Sequence, residues 1–297
     1  MFNCTHLILD TCVWIDIANH KKELFSKFLD NLEELIESGD IKLVIPDQVH
    51  VEWNRNKEEK ILKEKQNMLS NALKTISELK MLIQGDNISN IIEILENLQT
   101  VLNSNKEIII HKFSTNIERI DALINNTKAI KLIHSDNVRN QSIELALAKK
   151  APFVGKKKNN MADALIVLSS IEYTEKYNES VFFVSHNHTE FGGNTSKELH
   201  NDLSEIVGDL PFQYFNTITD AMSEVEGIRS DLIEMLEQHH EEIIRETREY
   251  EFNNLPRSIG FCDKCNKTER KTVPVYDNWG VDILSLCEKC YFGDKIN

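Results

Sequence analysis

Four acidic side chains stand at matching places along the sequence, each beside a short apolar run or at the start of a helical pattern. Asp10 ends the run HLILD, and Glu52 follows the run IKLVI by less than two helical turns. Asp163 opens a helical pattern after a lysine-rich loop, and Glu190 follows the run VFFVS. Because the carboxyl ends of parallel strands and the starts of the following helices meet at one edge of an open sheet, we expect these carboxylates to gather there.

A cluster of carboxylates is costly unless a cation relieves it, because like charges repel and buried charges lose their hydration. An all-oxygen ligand set favours Mg²⁺ or Mn²⁺ over softer metals. Two such ions about 3.5–4 Å apart would activate a water and stabilise the leaving oxygen of a phosphodiester. Each acid alone also has a simpler explanation: Asp10 and Asp163 could cap helices, and Glu52 could be a solvated surface residue.

The apolar runs predict the scaffold that would position these acids. Residues 6–10 and 41–45 have the pattern of buried strands, and residues 13–38 between them carry apolar positions at helical spacing. Strand, helix and strand at this spacing imply a parallel pair with a right-handed crossover, so we expect an α/β fold with a parallel sheet flanked by helices. Further strands are predicted at 181–185 and 211–215.

A long helical segment separates the second acid from the third. Leucine and isoleucine recur every seven residues over 62–83, and a second apolar stripe covers 91–102. The pattern predicts a helical hairpin inserted into the α/β domain, within a helical region of about 54–150 whose last part, 117–150, is again helical. We interpret the heptads as packing within the chain; an intermolecular coiled coil is the alternative that this short repeat leaves open.

Composition limits the function classes. The chain has 297 residues and a formal net charge of −14, which disfavours general adhesion to nucleic acid but allows an enzyme whose acidic site holds metal. It contains no run of 18 apolar residues and no basic, apolar leader, so we expect a cytoplasmic protein with reduced cysteines and no membrane partner. The length favours one large domain with a small module.

Four stretches of the sequence together resemble, in order and spacing, the motifs of PIN-domain ribonucleases. They are LILDTCVWID, VIPDQVHVEW, NNMADALIVLSSIEY and VFFVSHNHTEFGG. The variant resembled is the longer bacterial PIN-like type with a helical insert between the second and third motifs, and the resemblance covers about residues 5–215. It implies metal-dependent hydrolysis of RNA through three or four carboxylates, with one or two Mg²⁺ or Mn²⁺ ions.

The resemblance assigns roles residue by residue. Asp10, Glu52 and Asp163 match the first, second and third acids of the family and are the expected catalytic metal ligands. Thr11 and Ser185 match hydroxyl positions often found beside the metal, where they would contact substrate.

The fourth motif departs from the family pattern. Asn187 stands where many PIN domains have an aspartate, and Glu190 occupies a later acidic position. The fourth ligand is therefore Glu190, Asn187 or neither, and Glu190 is expected to assist catalysis. The second metal is less firmly implied than the first.

A basic loop precedes the third acid. Lys156, Lys157 and Lys158 lie just before the helix that carries Asp163, with further basic residues upstream. In an acidic chain this cluster is the best sequence candidate for contact with substrate phosphates. A solubilising surface loop is the alternative.

Two C-x₂-C pairs close the sequence. They are Cys262 with Cys265 and Cys287 with Cys290, and 21 residues separate the pairs. Four thiolates at this spacing predict a structural Zn²⁺ site in a zinc-ribbon-like module that depends on the metal to fold. A redox disulfide pair is the alternative.

These inferences combine into one expected organisation. Residues 1–222 would form a PIN-like nuclease domain, 223–256 a connecting helix and 257–297 the zinc module. The expected function is a metal-dependent endoribonuclease, by analogy a toxin or phage-defence effector. The alternatives are a structure-specific DNA nuclease and a degenerate PIN scaffold. RNA is the expected partner, and single-stranded DNA is the alternative. A protein partner or inhibitor that binds the C-terminal module and a homo-oligomer are further alternatives that the sequence leaves open.

Overall fold

The candidate acids are positioned by a sheet of five short parallel strands. The computed structural model describes residues 4–19, 23–83, 89–154, 160–193, 195, 197–225 and 234, together with the backbone of three later strands at 258–261, 268–276 and 282–287. The chain divides into two units, residues 1–233 and 234–297. The parallel sheet lies in the first unit.

The sheet has the strand order β3-β2-β1-β4-β5. Its strands are β1 (Thr5–Leu9), β2 (Ile41–Pro46), β3 (Ile130–Leu132), β4 (Val181–Val184) and β5 (Phe212–Phe215). Every neighbouring pair is parallel; at the centre, Leu7 of β1 pairs with Leu43 on one side and Phe182 on the other. All residues of β1 and β4 are buried, as expected for strands covered by helices on both faces. The predicted α/β fold is confirmed.

Helices follow the strands and cover the sheet. In chain order they are α1 (Thr11–Asn19), α2 (Glu23–Ser38), α3 (Asp47–Lys57), a π-helical turn (Glu58–Lys63), α4 (Glu64–Leu82), α5 (Ser89–Ile124), α6 (Asp136–Ala148), α7 (Met161–Tyr177), α8 (His188–Phe191), α9 (Asn201–Val207) and α10 (Ile218–Ser223). Large side chains fill the core between these layers. Fully buried among them are Trp14, Phe28, Trp53, Phe183 and Phe191.

Two local predictions differ from the structure. Residues 13–38 form two helices, α1 and α2, in place of one. The sequence pattern predicts helix throughout 117–150, but this stretch contains strand β3, which pairs with β2 at the edge of the sheet. Three residues are too few to show the alternation that identifies a strand, so the surrounding helical pattern dominated the prediction.

The insert is a long helical hairpin anchored at one end. Helices α4 and α5 pack along each other in opposite directions, since Lys80 binds Glu96 at 3.2 Å while Lys65 lies over the ring of Phe113. The last turns of α5 bury Ile120 and Ile124 in the core of the first unit. The described residues of the hairpin farther from this end are mostly exposed.

The second unit contains a three-stranded antiparallel sheet. Its strands are β6 (Ser258–Phe261), β7 (Thr268–Tyr276) and β8 (Asp282–Cys287), with β7 in the centre. In the described part of the chain, no helix combines the length and apolar composition that crossing a membrane requires.

Candidate active site

A cleft of about 610 Å³ lies at the carboxyl edge of the parallel sheet. Its walls come from the residues after β1, from α3, from the start of α7 and from the residues after β4. Asp10, Glu52 and Asp163 all line it, although 42 and 111 residues separate them along the chain. Parallel strands expose their carboxyl ends at one edge, which is why these side chains meet.

Asp10 is the most buried acid of the cleft, with 4% of its surface exposed. Its Oδ1 accepts a hydrogen bond from the backbone N–H of Thr11 at 2.6 Å, and its Oδ2 accepts from the Ser185 hydroxyl at 2.6 Å and the Cys12 thiol at 3.3 Å. Burial raises the pKa of Asp10 above its ordinary value, and the nearby Glu52 carboxylate raises it further, while these hydrogen bonds act in the opposite direction.

Glu52 reaches the cleft from α3. The helix begins directly after Pro46, and it is held in place by the buried Trp53 on its inner side. The Glu52 carboxylate accepts a hydrogen bond from Gln48 Nε2 at 3.4 Å and lies 3.5 Å from Arg55 Nη2. Its side chain is 17% exposed, so it stands in the wall of the cleft and not on the open surface.

Asp163 enters from the first turn of α7, where the helix dipole favours a negative charge. Its Oδ1 accepts a hydrogen bond from Asn187 Nδ2 at 3.3 Å. The backbone N–H of Asn187 in turn donates to Ser185 Oγ at 3.1 Å, and Ser185 donates to Asp10. Ser185 and Asn187 therefore connect the first acid to the third through three hydrogen bonds.

The fourth motif contributes Asn187 to the cleft and places Glu190 elsewhere. Asn187 lines the cleft beside Asp163. Glu190 lies on α8, is 4% exposed, accepts a hydrogen bond from the Thr189 hydroxyl and is not among the described residues that line the cleft.

The two hydroxyl residues differ in their surroundings. Ser185 is fully buried, and its hydroxyl donates a hydrogen bond to Asp10. Thr11 lines the cleft and is 3% exposed, and its Oγ1 is a buried atom with no hydrogen-bond partner in the described structure. A buried hydroxyl of this kind is available to a ligand in the cleft.

The cleft contains two basic residues that the sequence motifs do not predict. Arg55 and Lys60 follow Glu52 on the same side of α3 and its π-helical extension, and both line the cleft. The helical spacing of Gln48, Glu52 and Arg55 was the available signal. The lysines predicted to contact phosphate, Lys156, Lys157 and Lys158, lie outside the described residues.

The donor set suits a hard divalent cation. Among the residues that the structure describes, no three acidic, histidine or cysteine side chains stand close enough to form a ready-made metal site. The three acids nevertheless present only oxygen ligands to one cleft. Asp10 is a buried carboxylate whose hydrogen-bond partners are neutral groups and whose charged neighbour is a second carboxylate, so a cation between them would relieve the repulsion.

The predicted zinc ligands fall almost entirely outside the described residues. Cys262, Cys265 and Cys290 are not described, and Cys287 is described only as the last backbone position of β8. The backbone pairing of the strands next to these cysteines is described. Phe261, the last residue of β6, pairs with Thr268, the first of β7, and Cys287 pairs with Thr272.

Comparison with known proteins identifies the first unit. Searches of curated proteins and of solved structures gave no match. The family model described as "PIN domain" matches residues 7–191, which is more than half of the chain and includes Asp10, Glu52 and Asp163. PIN domains are typically nucleases and generally use Mg²⁺ or Mn²⁺. The α/β chain with three acids in one cleft therefore belongs to the PIN domain family.

Proposed function

We propose that this chain is a metal-dependent endoribonuclease. The observation that carries the proposal is the meeting of Asp10, Glu52 and Asp163 in a single cleft at the carboxyl edge of the sheet. Family membership supports the nuclease class, and the all-oxygen donor set supports Mg²⁺ or Mn²⁺ as cofactor.

In this proposal the three carboxylates hold the cation and their neighbours fix their orientation. When bound, a divalent ion at this position supplies a Lewis acid that activates water and offsets charge on the phosphodiester. The Ser185 hydroxyl and the Thr11 N–H orient Asp10, and the amide of Asn187 orients Asp163. The Thr11 hydroxyl, unpartnered and buried, is available to bind a substrate oxygen or a water.

Arg55 and Lys60 are the proposed phosphate contacts. They line the same cleft as the acids, and the Arg55 side chain is 66% exposed beside Glu52, so it can reach a strand entering from solvent. In a chain of net charge −14, local cations are needed to bring a polyanion to an acidic site. Lys156, Lys157 and Lys158 precede α7 directly in the sequence and remain proposed contributors.

A metal-responsive cleavage assay tests the proposal. Labelled RNA and DNA of the same sequence are incubated with the full chain in Mn²⁺, in Mg²⁺ and in EDTA. The proposal expects RNA cleavage that EDTA abolishes and that Asp10→Asn, Glu52→Gln and Asp163→Asn reduce by at least about 100-fold. Asp136→Asn is the matched control, since Asp136 also lies in the first turn of a helix but is 93% exposed and outside the cleft. Cleavage of DNA alone, or cleavage unaffected by the three substitutions, would overturn it.

A non-catalytic PIN module is the second candidate. Two observations favour it: a neutral amide, Asn187, stands in the cleft where many family members have a carboxylate, and the described residues contain no ready-made metal site. Such a module would still bind RNA through Arg55 and Lys60. RNA binding without metal-dependent cleavage, unchanged by Asp163→Asn, would support this candidate over the nuclease.

We further propose that Cys262, Cys265, Cys287 and Cys290 bind a structural Zn²⁺. The support is the spacing of the two C-x₂-C pairs together with their positions at strand ends: β6 ends one residue before Cys262, and β8 ends at Cys287. Both strands run antiparallel to β7, with Phe261 opposite Thr268 and Cys287 opposite Thr272, four residues farther along β7. Cys265→Ser is expected to remove about one equivalent of bound zinc, measured by elemental analysis, without changing the melting of the PIN domain. Unchanged zinc content would contradict the assignment.

A further inference from the structure

One face of the α4–α5 hairpin is apolar and exposed. Eight apolar side chains on this face each expose 40–80% of their surface. The five on α5 recur at steps of three, four, three and seven residues, and α4 contributes the other three. On α4 they are Met68, Leu79 and Leu82; on α5 they are Ile91, Ile94, Leu98, Val101 and Ile108.

The two stripes share one side of the hairpin. On α4 the line of contact with α5 passes through Ile76 and Lys80, and on α5 the corresponding line passes through Gln99 and Phe113. Viewed along each helix from its N-terminus, the exposed stripe lies about a quarter turn from the contact line, and the direction of rotation is the same in both helices. Because the two helices run in opposite directions, rotations of the same sense place both stripes on the same side of the hairpin.

The size of this face matches half of a stable protein–protein interface. The eight side chains together expose roughly 800 Å², the area that one partner contributes to an interface of standard size, and more than the largest apolar patch of a typical monomer. None of the eight is charged, which argues against a nucleic-acid strand as the occupant.

The charge of the hairpin permits contact with an identical hairpin. Residues 64–112 carry five Lys and six Asp or Glu, a net charge of −1, although the whole chain has −14. Most of the chain's negative charge therefore lies outside the hairpin. Two copies that meet through this segment avoid most of the like-charge repulsion that other surfaces would create.

The α5 stripe is also symmetric about its own midpoint. Asn105 lies at the same helical spacing and completes the stripe. In an antiparallel pair of α5 helices centred between Leu98 and Val101, each stripe residue meets its mirror position in the other copy: Ile91 meets Ile108, Ile94 meets Asn105 and Leu98 meets Val101. Heptad positions that meet in this way interlock as knobs into holes. We propose that a second copy of this chain binds the apolar face of the α4–α5 hairpin, with α5 antiparallel to the partner's α5, to form a four-helix dimer.

Sedimentation velocity of the full chain tests this proposal. At about 100 µM the wild type is expected to sediment as a dimer and to dissociate on dilution. The double substitution Leu98→Glu, Val101→Glu places charges at the centre of the symmetric stripe and is expected to weaken association at least about 100-fold. Met81→Glu is the matched control, because Met81 is 67% exposed on the other side of α4 and its substitution is expected to leave the dimer intact.

A second variant changes association in the opposite direction. Asn105 is the one polar member of the α5 stripe and would face the partner's Ile94, so Asn105→Leu is expected to tighten the dimer about tenfold. Far-UV circular dichroism checks that every variant keeps its helices. A monomeric wild type at about 100 µM, or equal weakening by the Met81 control, would overturn the proposal, since the face would then be free or serve another partner.

Discussion

Asp121 on α5 anchors α3, the helix that carries Glu52. The substitution Asp121→Ala should therefore lower the free energy of unfolding. Asp121 Oδ1 accepts a hydrogen bond from Trp53 Nε1 at 2.6 Å, and Lys57 Nζ binds the same carboxylate at 2.7–2.8 Å. The Trp53 side chain is fully buried, so Asp121→Ala leaves a buried N–H without a partner at a cost of about 1–3 kcal/mol.

The ion pair between Asp121 and Lys57 contributes less to the free energy of unfolding than the buried hydrogen bond. Both side chains are partly exposed, Lys57 by 19% and Asp121 by 29%, so solvent screening limits its contribution to about 0–1 kcal/mol. The expected total for Asp121→Ala is about 1–4 kcal/mol. Asp121→Asn keeps an acceptor for Trp53 and loses only the charge, so it should cost about 0–1 kcal/mol.

Urea unfolding followed by circular dichroism measures these differences, and a double-mutant cycle isolates the buried hydrogen bond. In a Trp53→Phe background the indole donor is absent, and Asp121→Ala should then cost only about 0–1 kcal/mol. Equal costs for the alanine and asparagine variants, or an unchanged cost of Asp121→Ala in the phenylalanine background, would refute this reasoning.

Two further predictions concern the cleft. Burial and the Glu52 carboxylate raise the pKa of Asp10, so the folded state favours the neutral carboxyl group. The neutral group therefore adds to the free energy of unfolding at low pH, and this contribution is lost as the pH rises through the raised pKa. Asp10→Asn should therefore raise the melting temperature at neutral pH in EDTA by a few degrees while abolishing cleavage, and a lower melting temperature would contradict the sign. Arg55→Ala should weaken RNA binding with little loss of stability and reduce the salt dependence of binding by about one counterion, measured by fluorescence anisotropy at several salt concentrations; an unchanged salt slope would remove Arg55 from the phosphate contacts.

The sequence predicts most of the sheet because its central strands are buried on both faces and appear as uninterrupted apolar runs. These runs predict β1, β2 and β4, and the carboxyl ends of β1 and β2 indicate Asp10 and Glu52 as site residues. β3 was missed because an edge strand of three half-buried or exposed residues has no run to detect. Its place in the sheet depends on pairing with β2, which is a long-range contact.

The site was less predictable at its periphery. The hydrogen bonds from Ser185 to Asp10 and from Asn187 to Asp163 depend on side-chain geometry that residue types do not encode, so the sequence left Asn187 and Glu190 as alternatives. Arg55 was missed because a lone arginine on an exposed helix ordinarily indicates a solvated surface. Only the packing of α3 against the sheet shows which side of that helix faces the cleft.

Calorimetric titration with Mn²⁺ tests the central claim most directly, because it asks whether the three acids hold a cation independently of any substrate. The wild type is expected to bind Mn²⁺, Asp163→Asn to bind at least about tenfold more weakly, and the exposed Asp136→Asn to bind like the wild type. Glu190→Gln is also expected to bind like the wild type, since Glu190 lies outside the cleft. Negligible heat with the wild type, or equal affinity in wild type and Asp163→Asn, would contradict the account.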